Sequence, residues 1–287
     1  MTRTLVQTVR TASRNLPSLL ALTAALGVGV SVVGVTTAQA VRRDAKDDTT
    51  YTFKRVYKAG ETDRYRLSTK MNINNPQTGG PMDIVTTMLL KDLTKEAKDD
   101  GASVSISEFE SAAVTINGMD LDITTMMPKV ITTRDKNGKS DVKMEGGNEQ
   151  VTAQMGDQMK QYTNFGGASL PAKPVKVGDS WDVNAMDLGA KGQNVKGKVT
   201  LISVDTVKGV KVAKMKTVMD IADAKDTKMH SESTTLIDVA TGKALNLTSK
   251  TDGDTPGGKM SIEITMKLLG PDDKGDGKEA VTDVKKP

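Results

Sequence analysis

From Arg64 to Ile73 the chain alternates without interruption. Tyr65, Leu67, Thr69, Met71 and Ile73 fall on one side of a pleated strand, and Arg64, Arg66, Ser68, Lys70 and Asn72 on the other. The same two-residue period sets Met260, Ile262, Ile264, Met266 and Leu268 against Ser261, Glu263, Thr265 and Lys267. Each segment therefore has one apolar and one polar face. Parallel strands covered on both sides would be apolar nearly throughout, so the pattern predicts an antiparallel sheet with one wet face.

Turn signals support this. Asn117-Gly118 predicts a type I′ hairpin, because that turn needs positive φ at both central residues; it would pair Ile116 with Met119 and Val114 with Leu121. Other turns are expected from Asn75 through Pro81, and at Asp99-Asp100-Gly101, Asp135 to Gly138, Lys208-Gly209 and Thr241-Gly242. Such regular spacing describes a meander. Between Gly209 and Ile221 the apolar phase slips, from Val210 and Val212 to Met215, Thr217, Met219 and Ile221, which predicts a β-bulge near Ala213.

One stretch has a different period. Val151, Met155, Met159 and Tyr162 recur at helical spacing and predict one helix over 148–162, followed by a linker at Pro171 and Pro174. A single helix cannot cover a long sheet that is apolar on one face. The fold class expected is therefore mainly β: an antiparallel curved sheet closed as a barrel or half-barrel, or split into two layers.

The chain divides into 1–40, a signal peptide; 41–165, a first β-rich half plus the helix; 166–270, a second β-rich half; and 271–287, a polar tail expected to be disordered. Lys58-Ala-Gly60-Glu61-Thr62 recurs as Lys176-Val-Gly178-Asp179-Ser180, each before an expected strand. This points either to an internal duplication or to two similar turns. The second copy, within Leu170 to Trp181, together with the first copy and the turn Asp238 to Gly242, resembles a family of exported bacterial β-rich domains of unknown function. The resemblance implies export and a β fold, and supplies no catalytic residues.

The signal is read from its own residues. Arg3, Arg10 and Arg14 precede or open an apolar run from Leu16 to Val35, and Ala38-Gln39-Ala40 offers the small side chains of a cleavage site at Ala38 and Ala40. The run exceeds the usual ~7–15 residues of a cleavable segment, which leaves an uncleaved anchor as the alternative. The expected location is periplasmic or secreted, with membrane contact only through this segment if it is kept. Absence of cysteine rules out disulfides and a lipidated cysteine.

Three of the 40 basic residues sit in the signal and none of the 36 acidic ones do, so the mature chain is close to neutral. With one Trp, four Tyr and three Phe it has neither the basic footprint nor the stacking platforms of a nucleic-acid binder. Catalytic chemistry finds little support. His230 is the only histidine, placed by alternation beside Glu232 and Thr234. Ser140 and Lys143 are three apart and would point to opposite faces of a strand. Gly253 to Lys259 imitates a phosphate-binding loop but is followed by Met260 where Ser or Thr would hold magnesium. Asp135 to Gly138 starts like a calcium loop without its later ligands, and Asp120 with Asp122 reads as a solvated strand face.

Methionine is the unusual feature, with 16 in the chain. Thioethers fill core gaps, line adaptable apolar cavities or ligate cuprous copper; core filling explains most of them here, and neither a metal nor a cofactor is expected. Met126, Met127 and Trp181 are the ligand-binding candidates. The function expected is that of a non-enzymatic exported protein binding an apolar small molecule or an envelope protein, or else of a structural, surface-interaction protein. A hydrolase ranks below both, and would require several carboxylates with perturbed pKa values converging in a cleft.

Overall fold

The computed structural model describes residues 49–75, 80–136, 140–149, 151–152, 170–184, 193–223, 227–255, 258–270 and 273. The signal residues, including Ala38 and Ala40, lie outside this set, as does the tail apart from Asp273. Twelve strands are present among the described residues. They are β1 (Thr62–Asn75), β2 (Gly80–Ala97), β3 (Ser103–Ile116), β4 (Met119–Asp122), β5 (Lys129–Arg134) and β6 (Ser140–Glu145), then β7 (Ser180–Asn184), β8 (Gln193–Val207), β9 (Val210–Asp223), β10 (Lys228–Asp238), β11 (Ala244–Thr255) and β12 (Gly258–Leu268).

All pair antiparallel in one open, curved sheet of order β6-β5-β3-β2-β1-β12-β11-β10-β9-β8-β7, with β4 beside the end of β3. The order is that of a meander whose first and last strands have joined. β1 pairs with β12 over ten residue pairs, from Tyr65 opposite Leu268 to Asn74 opposite Lys259. The sheet is left open between β6 and β7, where the chain runs from 146 to 179.

Alternation placed the side chains correctly. Leu67, Met71 and Ile264, from the two alternating segments, face the inner wall and are fully buried, and Ile84, Met88 and Met215 join them there. The Asn117-Gly118 turn adopts φ values of 48° and 83°, and β3 pairs with β4 in the expected register, Ile116 with Met119 and Val114 with Leu121. Of the expected helix, residues 149, 151 and 152 are helical, opened by Asn148, whose side chain accepts from the Val151 N–H at 3.2 Å. The rest of 148–162 lies outside the described residues.

The bulge expected near Ala213 is instead on the partner strand. β9 runs in unbroken register with β10 from Val212 to Ala222, while β8 shifts between Leu201 and Ser203. The apparent slip has another cause: Ala213 faces inward and is buried, while Val210 and Val212 face outward.

Two apolar clusters fill the inner wall. One joins β1, β2, β3 and β12 with Ile123, Met127 and Val151. The other joins β7, β8 and β9 with Ile237, Val175 and Phe53. Between them the inner faces of β10 and β11 carry Ser231, Ser233, Ser249 and Thr251.

Residues 49–60 form a strap across one end of the sheet. Tyr51 makes a two-hydrogen-bond bridge to Val175 (2.8 and 2.9 Å), the Val56 N–H donates to the Thr241 carbonyl (2.8 Å) and the Gly60 N–H to the Thr94 carbonyl (2.8 Å). The two repeated turns are built alike. The Glu61 N–H donates to the Lys58 carbonyl and the Asp179 N–H to the Lys176 carbonyl; Gly60 and Gly178 then bond to Thr94 and Leu201 on the strands that follow.

Candidate functional site

The register makes the inner wall a series of cross-strand rows; the last, with Asn75 opposite Gly80, Gly258 opposite Thr255 and Asp223 opposite Gln193, is mostly polar, and the row just inside it is the informative one. It runs Met82, Ile73, Met260, Gly253, Met229, Ile221, Val195 across β2, β1, β12, β11, β10, β9 and β8. Met82, Ile73, Met260, Met229 and Ile221 are half-buried, whereas the next row inward, with Ile84, Met71, Ile262 and Met219, is buried. On β4, Met119 and Leu121 extend the same wall beyond Ile116 and Val114, and Met119 is 56% exposed. This end of the sheet is therefore an apolar mouth made largely of methionine. Such exposed apolar area marks a contact surface when it is contiguous.

A cavity of ≈ 890 Å³ borders that mouth. Its lining takes in two outward-facing rows, one with Asn72, Ser261, Asp252, His230, Asp220 and Lys196, the other with Lys259, Asp254, Lys228, Ala222 and Asn194. Met260, Gly253, Met229 and Ile221, which lie between these rows, complete it, and the next inward row does not contribute. The cavity thus lies over the outer face of the strands whose inner face makes the lip. Some of its polar groups pair across strands: His230 Nδ1 to Asp220 at 2.7 Å, and the Ser261 hydroxyl to Asp252 at 2.6 Å. Three lysines and three aspartates offset one another there. Among the described residues no group of three His, Cys, Asp or Glu could hold a metal ion.

The opposite end is closed by charge. Asp63 and Asp92 stand directly opposite each other on β1 and β2, on the inner side. Lys243 Nζ donates to Asp63 at 2.7 Å and lies 3.0 Å from Glu61; Arg55 of the strap reaches Asp63 at 3.7 Å. Arg55 and Arg134 both stack on the Tyr57 ring, 4.9 and 5.3 Å from its centre. The Ser107 hydroxyl donates to Asp92 at 2.7 Å. Burial, and then the Asp63 charge, push the Tyr65 phenol well above its ordinary range.

Burial also raises the Asp92 carboxyl, against the lowering pull of Ser107 and Arg134. A carboxyl raised on folding favours the native state in its neutral form: that contribution is complete below the unfolded value of 3.8 and is lost as pH rises through the folded one. Asp92→Asn imitates the neutral form and should melt higher than the parent at pH 7, the difference vanishing as both are acidified. Thermal scans from pH 7 to 3 check this, and a variant that melts lower at pH 7 contradicts it. Carboxylates do converge here, the arrangement a hydrolase would need. They are engaged by Lys243, Arg55 and Ser107, and through Arg55 the cluster latches the strap to the sheet.

The sequence candidates are dispersed. Met126 sits in the 3-10 turn Thr124–Met126 and packs on the first cluster; Met127 is buried in it; Trp181, on β7, packs against the second. Ser140 and Lys143 are both on β6, where Lys143 pairs with Glu145 at 2.7 Å. Asp120 and Asp122 are exposed, and the Asp122 carboxyl accepts from the Thr124 N–H at 2.8 Å, which holds it low. The loop from Gly253 is a hairpin closed by Thr255 and Gly258, followed by a strand. Asn137 and Gly138 of the Asp135 to Gly138 turn lie outside the described residues. Met82, Met119 and Met229 were missed. Alternation marks their face, but not which end of a strand stays uncovered.

Fold and site together define an open, one-sheet antiparallel β protein with an apolar mouth at one end and an ionic latch at the other. No family model matches the chain, and no curated protein does. Among solved structures it is similar to the hypothetical lipoprotein YmcC from Escherichia coli, at 12% identity over 76% of this chain and 92% of that one, with a TM-score of 0.24. A protein of YmcC-like fold from Bacteroides fragilis, described as exported, matches at 8% identity over 76% and 100%, TM-score 0.25. A protein of the DUF1329 family from Desulfovibrio piger matches at 13% over 71% and 83%, TM-score 0.22. Likeness this low establishes neither a shared fold nor a shared role.

Proposed function

We propose that this chain is an exported, non-enzymatic β-rich protein of the cell envelope that holds an apolar ligand on the inner wall of its sheet, admitted at the methionine-lined mouth. One observation carries the reading: the half-buried row Met82, Ile73, Met260, Met229 and Ile221 leads into buried Ile84, Met71 and Ile262 with no charged side chain on the way. Unbranched thioethers re-pack easily around guests of different shape, which suits an entrance. Export is supported by the arginine-flanked apolar segment and the Ala38 and Ala40 cleavage site. A second reading, a surface that engages a partner protein, is favoured by β4, which pairs on one side with β3 and exposes Met119 and Leu121.

The test uses the protein produced with its own N-terminal segment and purified in mature form. Native mass spectrometry should show an extractable apolar adduct, and the fluorophore N-phenyl-1-naphthylamine should brighten on binding. Placing a charge in the lip, as Met229→Asp or Met260→Asp, should weaken that binding by roughly tenfold or more. Equal binding by parent and both variants would exclude the mouth as the entrance.

A further inference from the structure

We infer that the inner wall selects a neutral amphiphile, an apolar chain bearing hydroxyl or ester oxygens, over both fatty-acid anions and plain hydrocarbons. The inference rests on the ligand-binding reading above and names its ligand class. Two rows inward from the mouth, Thr86, Thr69, Ile264, Ser249 and Ser233 follow one another across β2, β1, β12, β11 and β10. The four hydroxyls of this row are buried, and none has a hydrogen-bond partner. Orphaned buried hydroxyls are rare in folded proteins, and four in one row is a pattern rather than an accident.

The same wall does pair hydroxyls elsewhere. One row nearer the mouth, Thr251 donates to Ser231 at 2.9 Å. A wall meant only for hydrocarbon would be better made with Val and Ala at the four positions, which keep the shape and remove the unmet polar groups. The orphans are explained if their partners arrive with the ligand. They lie four residues along β1 from Ile73, about 13 Å inside the lip at ~3.3 Å per residue.

Charge decides between ligand classes. From the lip to the hydroxyl row the inner wall carries no charged side chain, and the first carboxylates beyond it are Asp63 and Asp92, six residues further along β1. The cations at that depth are Lys243 and Arg55, engaged by Asp63, and Arg134, stacked on Tyr57 beside Asp92. A carboxylate held at the hydroxyl row would be desolvated without a counter-charge, whereas an ester oxygen accepts from Ser and Thr and a hydroxyl both accepts from and donates to them.

The experiment compares the mature protein with two double variants, Thr69→Val/Thr86→Val and Ser233→Ala/Ser249→Ala. Monoolein, oleate and 1-octadecene compete for bound N-phenyl-1-naphthylamine, and each protein's melting temperature is taken without ligand. The parent should prefer monoolein to the other two by about tenfold, the worth of one or two hydrogen bonds. Each double variant should lose that preference and melt at the same temperature as the parent or higher. The inference is overturned if the parent takes octadecene or oleate as tightly as monoolein, or if both variants keep the preference. A markedly lower melting temperature in both variants also overturns it, since the hydroxyls would then be partnered within the protein. If none of the three compounds binds the parent, the ligand-binding reading itself fails, and that outcome is distinct from the others.

Discussion

Replacing Lys243 with alanine should destabilise the protein by about 3 kcal/mol, the lower end of what breaking a buried ion pair costs. Lys243 is 8% exposed, and its ammonium joins Asp63 at 2.7 Å to Glu61 at 3.0 Å. Truncation leaves two carboxylates at the strap end with Arg55, 3.7 Å from Asp63, as their remaining close cation. For a chain of this size the expected fall in Tm is roughly 6–12 °C. Because Arg55 belongs to the strap and Lys243 to the turn beneath it, proteolysis within 49–60 should speed up in parallel. The double variant Lys243→Met/Asp63→Leu removes both charges and should recover most of the loss, as apolar replacements of buried pairs do. A single-variant loss below about 1 kcal/mol in urea unfolding would show that the latch is not a buried pair in solution.

None of this latch was legible in the sequence. Its members, Arg55, Asp63, Asp92, Arg134 and Lys243, are scattered over nearly 190 positions and converge because β1 pairs with both β2 and β12 while the strap crosses above them. No local period carries that information. The sheet was legible because its signal is local: Ile116 faces Met119 through a turn whose residues fix the register. At Ala213 the same method misjudged a bulge, since it assigns an apolar side chain to the core face wherever it finds one. Val212 is buried on the opposite face, and Ala213 is small enough to have been passed over.

The mouth falls between these cases. Alternation put Met71, Met260 and Met266 on apolar faces, and all three do lie on the inner wall. Nothing local distinguishes Met88, fully buried in mid-strand, from Met260 at the lip. That difference comes from where the strap closes one end and leaves the other open. Met126, Met127 and Trp181 drew attention because no strand pattern accounted for them. Their positions in a 3-10 turn, the core and a strand near the sheet edge are what packing against the two clusters requires.

Gly253→Ala should cost about 3 kcal/mol and also disturb the lip. A β-carbon on Gly253 would collide with the Lys228 carbonyl oxygen and lie 2.8 Å from Met229 Cα, both backbone atoms of the neighbouring strand. In a flat sheet a side chain stands clear of the adjacent backbone, so this clash records how sharply β10 and β11 fold toward each other at the mouth. Neither strand can yield without breaking the register that pairs Met229 with Gly253 and Lys228 with Asp254. The cost is therefore that of forced overpacking, at the upper end of the usual range. Gly209→Ala provides the contrast: its β-carbon would meet nothing within 4 Å, and it pays only for left-handed backbone, about 1–2 kcal/mol. Urea unfolding of the two variants should rank Gly253→Ala as the more damaging. The reverse order would mean that the sheet is flatter than described here, and that the lip Met229 and Met260 form beside this glycine is not held in place by its curvature.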